Sequence, residues 1–129
     1  MTLLRFLAVS TVVALLHGCA SAPKEISYTG KLFSGSGLLP VTTVLWQDAQ
    51  DQTVGRYVFV EPGNRKVAGT LGPCQRQPGN TLRCEWIDAY GRGYFYAVFS
   101  EDDRRFNGRW GRGDLHRSRG IEGIWTGER

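Results

Sequence analysis

The sequence predicts an all-β domain, an antiparallel up-and-down meander of about eight strands that forms a small closed or nearly closed β-barrel. Three observations carry this prediction. Beyond Cys19, no window has apolar residues at the helical spacing i, i+3, i+4, i+7 without a glycine or a turn cluster inside it. Short runs rich in Val, Thr, Tyr, Phe and Trp instead alternate with Gly, Pro, Asn and Asp, as strands alternate with turns. The third observation is a repeated glycine motif.

This motif places a glycine between two large apolar residues, each two positions away. It is clearest at 106–110 (FNGRW) and 121–125 (IEGIW), and it recurs around Gly30 and Gly69. Because alternate residues of a strand lie on one face, each copy puts the glycine and both large side chains on the same face. A glycine within a strand allows a bend and a close approach of the neighbouring backbone. Repeated from strand to strand, it curves a sheet into a barrel.

The strands implied by these patterns are joined by links that are mostly short enough for hairpins. They are predicted at 26–33, 41–48, 53–61, 65–72, 81–88, 92–100, 105–111 and 120–127. The face that carries the glycines is predicted to form the interior, with Tyr28, Leu32, Tyr57, Phe59, Leu71, Leu82, Trp86, Phe106, Trp110, Ile121 and Trp125. So many aromatic residues favour an interior filled by side chains. A small apolar ligand pocket is the alternative, since Trp and Tyr carry polar groups.

An internal repeat accompanies the strand pattern. Residues 61–72 align without gaps on 100–111 at an offset of 39, and 45–49 align on 85–89 at an offset of 40. We interpret this period as about four short strands, so that two units make the barrel. The repeat also places Asp48 and Asp88 each two residues after a tryptophan. Two carboxylates can perform acid–base catalysis, but an aspartate there also opens a tight turn, and this is the interpretation we favour.

Residues 1–18 are predicted to be a signal peptide. A single positive charge, Arg5, precedes an apolar run that is too short to span a membrane. The sequence Leu16-His17-Gly18-Cys19 then resembles the lipobox of bacterial lipoproteins, although His17 departs from the usual small or hydroxyl residue. The resemblance implies cleavage before Cys19 and attachment of diacylglycerol to its thiol. The alternative is an ordinary signal peptide followed by a chance cysteine.

The lipobox resemblance also implies a location. Alanine rather than aspartate follows the cysteine, and the sorting rule of these lipoproteins then implies the outer membrane, with the protein facing the periplasm. Acyl chains would hold the protein on the membrane without a spanning segment. Residues 19–25 are predicted to be a short lipidated tether and residues 26–129 a single domain.

Two further cysteines, Cys74 and Cys84, follow the lipidation site. An even pair in an oxidising compartment predicts a disulfide. A metal or redox pair is the alternative, but a metal site needs more ligands and His116 is the only histidine after Cys19. We therefore predict neither a metal nor another cofactor.

Basic residues are in mild excess, with a formal net charge of +4. Such a charge favours a solvated surface over a dedicated anion site. A basic cluster near the last predicted link is the candidate contact for an anionic glycan or lipid, or for an envelope protein: Arg109, Arg112, His116, Arg117 and Arg119. Ser118 beside His116 lacks the sequence context of a nucleophile–base pair. The compartment, and the lack of alternating aromatic and basic residues, argue against nucleic acid.

The Gly-x-aromatic pairs at 108–110 and 123–125 loosely resemble the small meander barrels of streptavidin and the lipocalins. A lipocalin carries Gly-x-Trp in its first strand, where this chain has Gly30-Lys31-Leu32, so no lipocalin ligand residues are carried over. Membrane-bound lysozyme inhibitors are similar in being lipidated eight-stranded barrels with a disulfide, although their inhibitor-loop motif is missing here.

The expected function is that of a non-enzymatic outer-membrane lipoprotein with a role in binding or envelope maintenance. One alternative is an inhibitor of a cell-wall hydrolase that uses residues 112–119 as its contact loop. The other is a weak hydrolase built on Asp48 and Asp88.

Overall fold

Eight β-strands follow one another around a closed barrel in this computed structural model, which describes Gly18 and residues 21–35, 37–113 and 122–129. Each strand is antiparallel to the next, and the last pairs with the first. The all-β meander barrel predicted from the sequence is therefore confirmed. The strands are β1 (Ile26–Phe33), β2 (Leu38–Gln47), β3 (Thr53–Glu61), β4 (Arg65–Gln77), β5 (Thr81–Asp88), β6 (Gly91–Phe99), β7 (Arg105–Arg112) and β8 (Gly123–Glu128).

Strand β4 differs most from its prediction, because it continues to Gln77 instead of ending at Gly72. Its register against β5 shifts by one residue between Leu71 and Gln75, which is the mark of a β-bulge. Gly72 adopts a φ of +119° in this bulge, a conformation that glycine reaches without a steric penalty. The bulge takes Pro73 out of the regular ladder, so a residue with no backbone N–H is tolerated within the strand.

The predicted disulfide is present, and it joins neighbouring strands. Cys74 lies in β4 just after the bulge, not in a loop, and it is bonded to Cys84 of β5. Closing a loop with a sequence separation of 10 residues stabilises the fold by about 2–3 kcal/mol in the chain-entropy model. The bond also ties the bulged strand to its neighbour.

The hairpins alternate between the two ends of the barrel, as the meander requires. We call one end the base; it carries the turns 48–52, 78–80 and 100–104, together with residues 21–25 that lead into β1. We call the other end the mouth. It carries the connection between β1 and β2, the turns 62–64 and 89–90, and the start of the link between β7 and β8. None of the residues that the structure describes forms a helix that could cross a membrane.

The internal repeat spans three strands, so its interpretation as two four-stranded units is wrong. At the offset of 39 residues β4 corresponds to β7, because β2, β3 and β4 with their turns already occupy residues 38–77. Repeat-related strands are three strands apart and therefore run in opposite directions, so positions that are equivalent in the repeat lie at opposite ends of the barrel. The offset of 40 adds a one-residue slip, which turns side chains to the other face. Trp46 accordingly lies outside the barrel, with the Arg56 guanidinium over its ring, whereas Trp86 lies inside.

The interior is formed by the predicted face, where aromatic rings lie across from glycines of the next strand. The register pairs Tyr57 with Gly69, Trp86 with Gly93, Phe106 with Gly127, Trp110 with Gly123, and Trp125 with Gly108. A Cβ atom added to these glycines would overlap a neighbouring ring or backbone atom. The predicted core residues line this interior; Ile121 lies outside the residues that the structure describes.

We expect Gly108→Val to lower the melting temperature much more than Gly113→Val. A Cβ at Gly108 would lie 2.7 Å from the Trp125 carbonyl oxygen and 2.9 Å from the Phe95 ring, so a valine there overpacks the core by about 3 kcal/mol or more. A Cβ at Gly113 meets nothing within 4 Å, and its φ of +75° leaves only backbone strain of about 1–2 kcal/mol. Thermal melts of both variants measure the difference. Equal melting temperatures would contradict the inward placement of Gly108.

Candidate functional site

A cavity of about 240 Å³ opens at the mouth of the barrel. Its walls are apolar and come from strands on all sides: Leu32, Tyr57, Phe59, Trp86, Trp110 and Trp125. Its rim is polar and consists of Ser34, Glu61, Asp88, Tyr90 and Arg112. The cavity therefore combines a largely aromatic interior with charged and hydroxyl groups at its entrance.

The strand pattern explains why the walls are apolar and the rim polar. The odd-numbered strands all run toward the mouth, and each brings an apolar inward residue followed two positions later by a polar one. These two-residue steps stay on the inner face because strand side chains alternate. The pairs are Leu32 and Ser34, Phe59 and Glu61, Trp86 and Asp88, and Trp110 and Arg112.

The three tryptophans of the wall are held by hydrogen bonds from their indole N–H groups. Trp86 donates to the Gly111 carbonyl at 3.1 Å, and Trp110 donates to the Phe33 carbonyl at 2.8 Å. Trp125 donates to the Thr43 hydroxyl at 3.0 Å. Each polar N–H is thus used within the protein, so the rings offer their carbon frameworks to the cavity.

Contacts between the rings fix the wall further. Trp86 and Trp110 meet edge to face with ring centroids 5.7 Å apart, and Tyr57 meets Trp125 in the same way at 4.6 Å. Edge-to-face pairs are a preferred aromatic geometry and stabilise beyond the area that they bury. The wall is consequently preorganised.

Asp88 is a charged group in direct contact with one of these rings. Its Oδ2 accepts a hydrogen bond of 2.7 Å from the Tyr57 hydroxyl, and its Oδ1 accepts one of 2.8 Å from the Tyr90 N–H. Burial, and then the hydrogen bond to Asp88, raise the pKa of Tyr57 well above its usual range, so this hydroxyl stays a donor. The ion pairs found among the described residues give Asp88 no basic partner.

The other charges of the rim are compensated by neighbours. Glu61 accepts a hydrogen bond of 2.6 Å from the Tyr90 hydroxyl and lies 3.5 Å from the Arg65 guanidinium. Arg112 pairs with Glu122 at 3.2 Å and donates to the Tyr90 carbonyl at 3.1 Å. The described part of the rim therefore carries one carboxylate, that of Asp88, in excess of its basic groups.

Asp48 and Asp88 are not brought together. Asp48 lies at the base, where its Oδ1 accepts hydrogen bonds from the N–H groups of Gln50 and Gln52 at 2.9 and 2.8 Å. Asp88 lies at the mouth and accepts from Tyr90 N–H in the same way. Both aspartates open turns, so the turn interpretation is confirmed. The two lie at opposite ends because three strands separate the repeats, and they form no shared carboxylate site.

The predicted basic cluster is only partly described. Arg109 is exposed on the outer face of β7, whereas Arg112 lies at the rim on the inner side, so these two do not converge. His116, Ser118, Arg117 and Arg119 lie outside the described residues, as does the predicted lipidation site Cys19. In the part of the chain that the structure describes, no three His, Cys, Asp or Glu side chains come close enough to hold a metal.

The mouth was not among the sites predicted from the sequence, although the sequence carries a signal for it. Once the strands are numbered, a polar residue stands at the end of each odd strand, or directly after it in the case of β1, and two positions before it is an apolar residue. Comparisons with protein-family models, curated proteins and solved structures found no match to this chain. The case for the mouth as a site therefore comes from its geometry.

We expect Tyr57→Phe to lower the free energy of unfolding by about 1–2 kcal/mol, because the Asp88 carboxylate loses a buried donor. The full difference is expected below the ordinary tyrosine pKa of about 10. Above that pH, Tyr57 ionises in the unfolded wild-type chain but not in the folded protein, which lowers the stability of the wild type. The difference between the wild type and the variant therefore becomes smaller. Urea denaturation at several pH values measures both effects. Tyr96→Phe, on the partly exposed outer face of β6, is the control and should change little. If both variants are as stable as the wild type, the Tyr57–Asp88 bond contributes nothing.

Proposed function

We propose that this chain is a non-enzymatic lipoprotein of the outer membrane, anchored through Cys19 and facing the periplasm, whose barrel binds one small ligand at its mouth. The observation that carries the binding role is the cavity of about 240 Å³ with aromatic walls and a polar rim. Binding sites for small molecules typically combine apolar walls with a few placed polar groups. This cavity lies just below the roughly 300–1,000 Å³ typical of ligand pockets, so the ligand is a small one.

The packing of the remaining interior supports a site confined to the mouth. Below the cavity, Phe95, Leu82 and Ala97 are fully buried. The described interior is thus filled along most of its length, as the sequence predicts, and the aromatic cavity lies where the odd strands end. A ligand there would cover apolar wall that now faces solvent, which favours binding.

The direction of the first strand supports a ligand from the periplasm. β1 begins at the base, and Glu25, the last residue of the proposed tether, pairs with Arg56 of β3 at 2.8 Å. A tether over residues 19–25 spans at most about 25 Å when fully extended. With Cys19 in the membrane, the base would face the lipid surface and the mouth would face away from it.

If the protein instead inhibits a cell-wall hydrolase, its proposed contact loop begins at the same end of the barrel as the cavity. Arg112, the first residue of its proposed contact loop, stands at the rim of the cavity. A partner that inserts a side chain into the mouth would use the same walls as a small ligand. The hydrolase alternative finds no support in the geometry, since Asp48 and Asp88 lie at opposite ends.

We expect Cys19→Ser to release the protein into the soluble periplasmic fraction, because the acyl chains are its proposed hold on the membrane. Fractionation and immunoblotting of cells that express the variant measure the distribution. Ser21→Ala, which leaves the lipobox intact, is the control and should stay in the outer membrane. Outer-membrane recovery of Cys19→Ser would contradict the lipid anchor.

We expect a neutral apolar alcohol, 3,3-dimethylbutan-1-ol, to shift the indole N–H resonances of Trp86, Trp110 and Trp125 in NMR spectra at millimolar concentration. The protein has four tryptophans, and Trp46 on the outer face serves as an internal reference that should not shift. The three wall residues should saturate together, since they line one cavity. No shifts, or equal shifts at Trp46, would contradict a ligand site at the mouth.

A further inference from the structure

We infer that the ligand of the mouth is a small organic cation, with a quaternary or alkylated ammonium group held by the aromatic wall and balanced by Asp88. This inference rests on the proposed binding function and names the ligand class that the site takes. It draws on three features of the described residues: the rings of the wall, the excess carboxylate of the rim, and the hydrogen bonds already made by the polar groups.

The first feature is the number of rings around one small space. Trp86, Trp110 and Trp125 line the cavity together with Tyr57 and Phe59. The face of an aromatic ring is negative, so rings attract a cation within about 6 Å, and tryptophan attracts it most strongly. Alkylated ammonium groups suit such walls because their methyl groups also pack against apolar surface.

The second feature is the charge at the entrance. The described charged groups of the cavity rim and their ion-pair partners are three carboxylates, those of Glu61, Asp88 and Glu122, and two guanidinium groups, those of Arg65 and Arg112. Arg65 pairs with Glu61, and Arg112 pairs with Glu122, which leaves Asp88 without a basic partner among the residues that the structure describes. A bound cation would supply the missing opposite charge, and partial burial of Asp88 would make that attraction stronger than in open water.

The third feature excludes a ligand that needs donors or acceptors from the wall. The indole N–H groups of Trp86, Trp110 and Trp125 all donate to protein oxygens. The Tyr57 hydroxyl donates to Asp88, and the Tyr90 hydroxyl donates to Glu61. The wall therefore has few free hydrogen bonds to offer, which suits a quaternary ammonium, a group that has no N–H to donate.

The test compares three probes of one shape that differ in charge: choline, the neutral 3,3-dimethylbutan-1-ol and the anionic 3,3-dimethylbutanoate. Titrations of the full chain, followed by the indole N–H resonances of the wall tryptophans, should show choline binding about tenfold more tightly than the neutral alcohol. The anionic probe should bind most weakly. Added salt should weaken choline binding and leave the neutral alcohol unchanged.

A matched pair of variants tests whether the carboxylate of Asp88 causes the preference for choline over the neutral alcohol. Asp88→Asn should bring the affinity for choline to within about twofold of the affinity that the same variant has for the neutral alcohol. Asp48→Asn removes the same charge from a similar turn at the base, and it should leave all three affinities unchanged.

The outcomes separate the two proposals. If the neutral alcohol binds and choline binds no more tightly, the mouth is a ligand site but the cation inference is overturned. If the anionic probe binds most tightly, the inference is also overturned. If no probe shifts the wall tryptophans, the binding function itself fails. Choline binding that survives Asp88→Asn at full strength overturns the role of Asp88.

Discussion

Across the inner face of the barrel, the largest rings lie opposite glycines of the neighbouring strand. Tyr57 opposite Gly69 and Phe106 opposite Gly127 show how close the approach is, since neither glycine has room for a Cβ. An eight-stranded barrel has an interior just wide enough for side chains to fill. Rings on every inward position would not fit, and small residues on every position would leave voids. Alternation between the two extremes lets the sheet close around a dense core.

The same pairing prepares the mouth. Trp86 lies opposite Gly93 and Trp110 opposite Gly123, so each ring can reach across its partner strand. Each indole N–H then bonds to a backbone carbonyl of the strand beyond, in β7 for Trp86 and in β1 for Trp110. The wall of the cavity is therefore a continuation of the core, with the same constraints on its side-chain positions. The residues two positions further along the odd strands reach the rim, and three of these four residues carry a charge. Stability and recognition are thus assigned to successive positions on one face.

Local sequence patterns were sufficient for the barrel but not for the site. Period-two alternation and turn residues located the strands, and the glycine motif identified their inner face. The two ends of the barrel can be told apart only by counting strands, and the prediction counted four per repeat where there are three. Tyr57 and Asp88 are 31 residues apart and meet only when the barrel closes. The extension of β4 was hidden because Pro73 argues against a strand unless a bulge accompanies it.

The four odd strands each contribute one rim position: Ser34, Glu61, Asp88 and Arg112. None of them takes part in a pairing between a glycine and a ring. The positions that would set ligand specificity are therefore different from the glycine–ring pairs that set the fold. During evolution, the rim can change by single substitutions while those pairs are kept. A lineage of duplicated chains could acquire different ligands through a few substitutions, of which those at Asp88 also remove the hydrogen bond from Tyr57. Engineers could use the same four positions as a compact combinatorial library on an unchanged frame.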